Sequence, residues 1–249
     1  MTVHVEVRDV GEVASAVTVV TLDRPERRNA VDRATLDELT DALDAAAARR
    51  TRVLVFTGAG GHFCSGADLT GLEDASFATA LQGVLDRLRD LTFPTIAAMD
   101  GAALGAGAQL AVACDLRVAT AGASLGVPAA KLGLMVNHWT VQRVAALAGA
   151  STARAILLAA EVVKGTDAHR LGLVNRIGDL TDALTWAEEI AVLAPLTIAG
   201  HKVMLAALEP PPAHNDDVDA AFARAWGSKD LAEGIDAFRT RRRPTFRGE

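Results

Sequence analysis

The segment Asp100–Cys114, DGAALGAGAQLAVAC, most constrains how this chain can fold. Small residues at Gly105–Gly107 separate an apolar run that ends at Met99 from the helix formers Gln109–Ala113. We expect a strand that turns through these small residues into a helix, whose first N–H groups have no partner inside the helix. Because the helix dipole makes that end attractive to negative charge, the turn is a candidate oxyanion site. Close packing alone is the alternative explanation of its glycines.

A second segment, His62–Leu69, follows the apolar run Val53–Thr57 and a glycine-rich turn. It can direct another backbone N–H at the same point, and two such donors form an oxyanion hole for a thioester carbonyl. Together with Leu22–Ala30, LDRPERRNA, these segments resemble the enoyl-CoA hydratase/isomerase (crotonase) superfamily over nearly the whole chain. Within that superfamily, Gly133–Trp139 (GLMVNHW) and Ala225–Ser228 resemble a mycobacterial-type paralogue of fatty-acid metabolism that lacks both catalytic glutamates.

Composition limits the class of protein. With 249 residues and 50% hydrophobic residues, the chain can bury a full core. A net charge of -6 argues against a nucleic-acid partner. Two cysteines, Cys64 and Cys114, form no disulfide framework and suit a reducing cytosol. Met1–Val10 lacks the apolar core of a signal peptide, and no apolar run reaches the roughly 18 residues of a membrane span. We therefore expect a soluble cytoplasmic protein without a membrane span.

Hydrophobic periodicity predicts a mixed α/β chain. Strands are expected at 3–7, 17–22, 53–56, 95–99, 116–119, 124–127 and 173–177, and helices at 32–50, 78–91, 107–114, 141–147, 152–159 and 167–171. After residue 181 only helices are expected, at 182–193, 195–208, 218–226 and 231–238, before a basic tail at 239–247.

The resemblance implies how these elements are arranged. Residues 1–190 would form a spiral of repeated ββα units that carries an acyl-CoA site. Residues 191–249 would form a C-terminal helical segment that packs on neighbouring subunits. The expected assembly is a homotrimer or a dimer of trimers.

The resemblance also assigns the oxyanion site. The backbone N–H groups of Ala67 and Ala106 would be the two donors, with Gly66 and Gly105 beside them at the substrate. Ala106 replaces a glycine of the family, so it keeps the N–H but narrows the space by a methyl group. Asp68 is expected to fix its loop rather than to move protons.

The expected ligand is a coenzyme A thioester, with no metal and no other cofactor. Arg27 and Arg28 would pair with the CoA phosphates, and the backbone at Ala30, Ser65 and Leu69 would meet adenine and pantetheine. A solvated charged loop is the alternative for the two arginines.

The C-terminal helical segment is expected to contribute to the same ligand. Phe238 and Arg241 match positions where the last helix of the family touches CoA, often from the next subunit. An ordinary exposed basic tail is the alternative for Arg241.

The catalytic positions depart from the family. Its hydratases use two glutamates, and the matching residues here are Gln109 and Ala129. A glutamine orients water but neither accepts nor releases a proton near pH 7, and an alanine does neither. A general acid or base contributes about 10²- to 10⁴-fold, so efficient hydration is not expected. Asn137, an amide, stands where some isomerases and lyases of the superfamily place their acid.

Other residues around the acyl end remain candidates. The bulky and polar residues of Gly133–Trp139 indicate a reshaped acyl pocket with Trp139 in its wall. His138 is the titratable residue expected nearest the thioester, and it could act on the thioester or simply pack there. Glu73 and Asp74, in a variable loop, could supply a substitute acid. Cys64 has no evident base partner and is interpreted as a small buried thiol.

Three functions are compatible with this pattern. The first is an acyl-CoA-binding protein that retains the oxyanion hole but has little or no hydratase activity. The second is an enzyme of altered chemistry, such as an acyl-CoA decarboxylase or isomerase, with His138 or Lys131 meeting a substrate carboxylate. The third is a slow enoyl-CoA hydratase. We favour the first because Gln109, Ala129 and Asn137 are all neutral.

Overall fold

A six-stranded sheet forms the frame of the fold. The computed structural model describes residues 1–49, 51–70, 76–208 and 215–249. The sheet order is β1 (Val3–Val10), β2 (Val13–Leu22), β3 (Val53–Gly58), β4 (Thr95–Met99), β6 (Leu116–Ala119) and β9 (Arg176–Ile177). β1 and β2 are antiparallel, and the remaining neighbours are parallel.

A smaller sheet and a set of helices complete the fold. The smaller sheet has the order β5 (Ala102–Leu104), β7 (Ser124–Gly126) and β8 (Val162–Lys164). The α-helices are α1 (Arg33–Ala48), α2 (Ser76–Asp90), α3 (Ala106–Ala113), α4 (His138–Leu158), α5 (Gly165–Arg170), α6 (Leu180–Ala191), α7 (Pro195–Ala206), α8 (Asp216–Trp226) and α9 (Lys229–Thr240). Short 3-10 helices cover Pro25–Arg27 and Pro128–Lys131. The predicted mixed α/β class is confirmed.

The central strands are covered on both faces. Leu54 and Phe56 of β3 pack into the cluster formed with α1 and α2, whereas Val53 and Val55 pack into the cluster formed with α6. Successive side chains of a strand point to opposite faces, so a continuous apolar run needs both layers. This arrangement agrees with the interpretation of residues 53–56 as a doubly covered strand.

Several predicted element boundaries were wrong. The strands β5 and β8 were missed because each has three residues and gives little periodic signal. The two helices predicted at 141–147 and 152–159 form one element, α4, with a kink at Gly149 (φ 79°, ψ 158°). The strand predicted at 173–177 is reduced to β9, because the Leu173 carbonyl accepts a side-chain hydrogen bond from Arg117 instead of pairing in the sheet.

The C-terminal helices lie against the same chain. Lys202 of α7 donates from Nζ to Asp115 Oδ2 at 2.7 Å. Trp226 of α8 donates from Nε1 to the Met135 carbonyl at 2.9 Å. A β-carbon built on Gly234 of α9 would lie 2.2 Å from the Leu132 oxygen, so only glycine allows this approach. α8 and α9 therefore cover the loop that precedes α4.

The predicted boundary at residue 190 falls in the last turn of α6, whose buried face packs on the large sheet. Within the described ranges, no single helix has the length and apolar character to cross a membrane. α6 and α7, which meet at a bend of 109°, together have the length and composition of a membrane-spanning segment.

Helix α3 is buried along its whole length, and two arginines bind its C-terminal carbonyl groups. Arg117 is 1% exposed and donates to the carbonyl oxygens of Cys114 at 2.7 Å and Leu173 at 2.6 Å. Arg143 donates to the Val112 oxygen at 3.0 Å. Burial lowers the pKa of Arg117 to about 10, which still leaves it charged at neutral pH. The positive charges thus complement the negative end of the helix dipole.

The substitution Arg117→Met tests this contribution. It retains an apolar stem but leaves the Leu173 and Cys114 carbonyls unpaired in the interior. We expect the free energy of unfolding to fall by about 3 kcal/mol, measured by urea denaturation. The exposed Arg154→Met is the matched control, and a loss no larger than that of the control would contradict the role of Arg117.

Candidate functional site

A large cavity lies between α2, the N-terminus of α3, the loop before α4, and α8 with α9. Its volume is about 1410 Å³, above the range of roughly 300–1,000 Å³ that is usual for small-molecule sites. The cavity is therefore large enough for an extended ligand.

Most of the residues predicted from the sequence line this one cavity. They are Arg27, Arg28, Ala30, Ser65, Gly66, Ala67, Asp68, Leu69, Gly105, Ala106, Gln109, Ala129, Asn137, His138, Phe238 and Arg241.

Trp139 is the exception among the predicted site residues. It is 8% exposed and belongs to the hydrophobic core instead of the cavity lining. The reason is that α4 begins at His138, so successive side chains point to different sides of the helix. The candidate acids Glu73 and Asp74 lie outside the described residues.

Two loops converge at the N-terminus of α3. A β-carbon built on Gly66 would lie 3.9 Å from the Ala106 nitrogen, and one built on Gly105 would lie 3.8 Å from the Gly66 Cα. Gly66 and Gly105 have φ angles of 117° and 55°, which favour glycine. A β-carbon on Gly107 would lie 2.1 Å from the Cys64 oxygen. Small residues therefore permit the close contact between the loops.

The N–H groups of Ala67 and Ala106 are available to a ligand. Among the described residues, neither group donates a hydrogen bond. Ala106 is the first residue of α3, where no intrahelical acceptor exists. Ala67 pairs with Val31 in an isolated β-bridge. In this bridge the Val31 N–H donates to the Gly66 carbonyl and the Asp68 N–H donates to the Val31 carbonyl, so neither bond involves the Ala67 N–H.

The residues expected at the family's acid positions have neutral side chains. Gln109 is 7% exposed, and its Oε1 accepts from Thr140 Oγ1 at 2.9 Å. Asn137 caps α4 by accepting from the Thr140 N–H at 2.8 Å, and its amide group donates to Gln82 Oε1. Ala129 lies in a 3-10 helix with its methyl group partly buried.

Burial keeps the Cys64 thiol unreactive. It is fully buried, and burial raises its pKa to about 12, so almost no thiolate forms near neutrality. This supports its interpretation as a small buried side chain.

Within the described part of the chain, no three His, Cys, Asp or Glu side chains are grouped closely enough to hold a metal ion.

Arg24 holds the loop that carries Ala67. Its guanidinium donates to Asp68 Oδ2 at 3.0 Å and to the Ala30 carbonyl at 2.8 Å, and it pairs with Asp32 at 2.9 Å. In the sequence, Arg24 belongs to the motif Leu22–Ala30, but no role was predicted for it. Its partner Asp68 lies 44 residues away, a separation that gives no periodic signal.

Asn29 is a second residue whose role the sequence did not reveal. It is 1% exposed, has a φ angle of 57°, and donates from Nδ2 to the carbonyls of Ala59 at 2.8 Å and His62 at 2.6 Å. Asparagine tolerates this left-handed conformation better than most residues. The sequence signal for this role was the position of Asn29 in a charged turn, directly before Ala30.

Basic side chains from separate segments share the cavity lining. Arg27 and Arg28 come from the loop after β2, Lys131 from a 3-10 helix, and Arg239 and Arg241 from the end of α9. Neither Lys131 nor Arg239 was predicted from the sequence to bind CoA. Acidic residues, Glu26, Asp86 and Asp219, also line this cavity.

Comparison with known proteins agrees with the fold. Residues 12–249 match the family model described as enoyl-CoA hydratase/isomerase. The chain is 42% identical over 240 residues to "Probable enoyl-CoA hydratase echA6" of Mycobacterium tuberculosis, covering 94% of this chain and 97% of that protein. It is 34% identical to human "Enoyl-CoA hydratase domain-containing protein 2, mitochondrial", covering 99% and 90%.

Solved structures show the same architecture. An enoyl-CoA hydratase/isomerase from Xanthobacter autotrophicus Py2 superposes with a TM-score of 0.83 at 28% identity, over 96% of this chain and 93% of that one. A methylmalonyl-CoA decarboxylase superposes with a TM-score of 0.89 at 23% identity, over 100% and 99%, which shows a common fold alone. With a family match that spans nearly the whole sequence, this chain belongs to the enoyl-CoA hydratase/isomerase family and has the crotonase fold.

Proposed function

We propose that this protein binds acyl-CoA thioesters and has little or no hydratase activity. The observation that carries the proposal is the combination found at α3. The Ala67 and Ala106 N–H groups are available in the cavity, whereas Gln109, Ala129 and Asn137 provide no general acid or base.

The N-terminus of α3 supports thioester binding. Two N–H groups aimed at a carbonyl oxygen stabilise negative charge there. The helix dipole adds to this effect, and Arg117 and Arg143 complete the hydrogen bonding at its other end. These groups would hold and polarise a thioester, but proton transfer would require a further group.

The rest of the cavity suits the two ends of an acyl-CoA. The basic residues from the β2–α1 loop and from α9 would meet the phosphates. Apolar side chains from α2, the loop before α4, and α8 would surround the acyl chain; they include Phe77, Leu81, Met135, Phe222 and Trp226.

Decarboxylation of an acyl-CoA that carries a carboxylate is the second candidate. It requires stabilisation of an enolate more than a general base. Lys131 and His138 line the cavity together with Ala67 and Ala106, and either cation could bind the carboxylate.

The proposed assembly is a homotrimer or a dimer of trimers in the cytoplasm, with residues 191–249 as the segment that joins copies. α7 and its flanks support this proposal, because they expose several large apolar side chains, Leu196, Val203, Met204, Leu205 and Leu208. Exposed apolar surface in such quantity is found at protein–protein interfaces.

Binding without turnover is the first expected result. We expect trans-2-enoyl-CoA substrates of short to long chains to bind tightly without losing their conjugated thioester absorbance. Calorimetry and absorbance on the same samples measure the two properties. A kcat on the order of 10 s⁻¹, ordinary for an enzyme, would contradict the proposal, and release of CO₂ from a carboxylated acyl-CoA would favour decarboxylation.

Restoring the two carboxylates should restore hydration. In Gln109→Glu combined with Ala129→Glu, we expect hydration to rise by about 10²-fold or more above the wild type, since each positioned acid or base contributes that order. The single variants serve as controls. No gain in the folded double variant would show that these two positions are not the acid/base positions.

Arg24 and Asp68 are proposed as positioning residues for the Ala67 N–H. Burial alone would raise the pKa of Asp68, but hydrogen bonds from Thr70 and Arg24 and the Arg24 charge outweigh it and lower the pKa below its ordinary value. The unfolded state then binds more protons at acidic pH. The stability that Asp68 contributes is complete above an ordinary aspartate pKa of about 4 and is lost as pH falls below it.

Asp68→Asn tests this proton linkage. We expect its urea midpoint to lie below that of the wild type at pH 7, and the difference to shrink as pH falls toward 3. Acyl-CoA affinity should fall as well, because the Ala67 loop loses its anchor. Asp37→Asn, in an exposed pair with Arg33, is the control. A constant difference between pH 7 and pH 3 would contradict the linkage.

A further inference from the structure

The carboxamide of Gln109 offers an unused hydrogen-bond donor to the cavity. Its Oε1 accepts from Thr140 Oγ1, whereas its Nε2 donates to no described residue. Every fully buried side-chain nitrogen or oxygen in the described part of the chain has a partner. Nε2 is therefore accessible, and because Gln109 lines the cavity, the NH₂ group faces it.

The orientation of this amide is held from behind. Thr140 is 0% exposed, and its own N–H is bound by Asn137 Oδ1 at 2.8 Å in the first turn of α4. The hydroxyl that binds Gln109 Oε1 is consequently fixed on a packed helix. A donor positioned in advance in this way costs little ordering when a ligand binds.

The donor lies beside the proposed position of the thioester carbonyl. Gln109 follows Ala106 by three residues in α3, so both lie on one face of the helix. Helical side chains lean toward the N-terminus, which brings the amide back toward the Ala106 N–H. With a thioester oxygen on Ala106, the part of the acyl chain next to Gln109 is the one just beyond the carbonyl, C2 and C3.

We infer that Gln109 recognises a carbonyl oxygen at C3, so that the preferred ligand is a 3-oxoacyl-CoA. This inference rests on the proposed acyl-CoA function and specifies its ligand class. A ketone oxygen only accepts hydrogen bonds and so matches an NH₂ group, which only donates. A saturated chain would exclude water and leave Nε2 unpaired, which is unfavourable.

A 3-hydroxyacyl chain fits this site less well. Its oxygen can accept from Nε2, but its own hydrogen needs an acceptor, and Ala129 presents only a methyl group. Gln109 Oε1 already accepts one hydrogen bond, from Thr140. The ligand is held unchanged, since no bond forms or breaks.

The test is a calorimetric comparison of three CoA thioesters of equal chain length, saturated, 3-hydroxy and 3-oxo. In the wild type we expect the 3-oxo thioester to bind about five- to tenfold more tightly than the saturated one, with the 3-hydroxy thioester between them. Gln109→Met should reduce this ratio to about one while the saturated thioester still binds. Thr140→Val should lower the ratio through the amide orientation.

Two further variants make the test specific. Gln142→Met makes the same substitution outside the cavity lining and should keep the wild-type ratio. Gln109→Glu replaces the donor by a carboxylate and should also abolish the preference, which covers the case that the methionine variant does not fold.

Equal affinities for the three thioesters in the wild type would overturn the inference while leaving acyl-CoA binding intact. A 3-oxo preference that survives in Gln109→Met would overturn it too. A gain for the 3-hydroxy thioester alone would mean that the amide oxygen faces the cavity, which contradicts the donor assignment. Failure of all three thioesters to bind would refute the proposed function itself.

Discussion

The burial of helix α3 is the constraint on which the site depends. Each of its residues is buried, so both ends of the helix must find polar partners inside the protein. At the C-terminal end, Arg117 and Arg143 bind the carbonyl groups. At the N-terminal end, the Ala106 N–H meets only the cavity and the neighbouring Gly66 loop. One end of the helix is therefore satisfied by the protein, and the other end opens onto the cavity.

The loop opposite α3 is held with comparable precision by charged and polar groups. Arg24 binds Asp68 and the Ala30 carbonyl, and Asn29 binds two carbonyls of the turn after β3. These bonds fix the backbone on both sides of Ala67, through the Val31 bridge as well. A backbone N–H can serve as a binding group only if its loop is rigid, because a mobile donor would lose entropy on binding.

Local sequence patterns predicted much of this architecture, whereas contacts between residues far apart in the sequence were not predicted. The run Val53–Phe56 predicted a strand covered on both faces, and the small residues Gly105–Gly107 predicted a close turn into a helix. Both signals lie in neighbouring residues, and the structure agrees with both predictions. Gln109 and Thr140 are 31 residues apart, and no periodicity links them.

The prediction that Trp139 lines the pocket was wrong because the start of α4 was predicted too late in the sequence. The predicted helix began at Val141, but α4 begins three residues earlier, at His138, with Asn137 as its cap. That shift turns the Trp139 side chain into the core and leaves His138 in the cavity. Asparagine is a common helix cap, but Asn137 and the two residues after it were interpreted as part of the pocket rather than as the start of a helix.

The neutral side chain of Gln109 also has a structural role. A glutamate at position 109 could accept from Thr140 as Gln109 does, but it would bring a charge into a site that is 7% exposed. Burying an unpaired charge is costly. The amide keeps the contact between α3 and α4 without that cost, and it replaces a proton acceptor by a hydrogen-bond donor. Gln109 is therefore a packed, oriented polar group in the lining of the cavity.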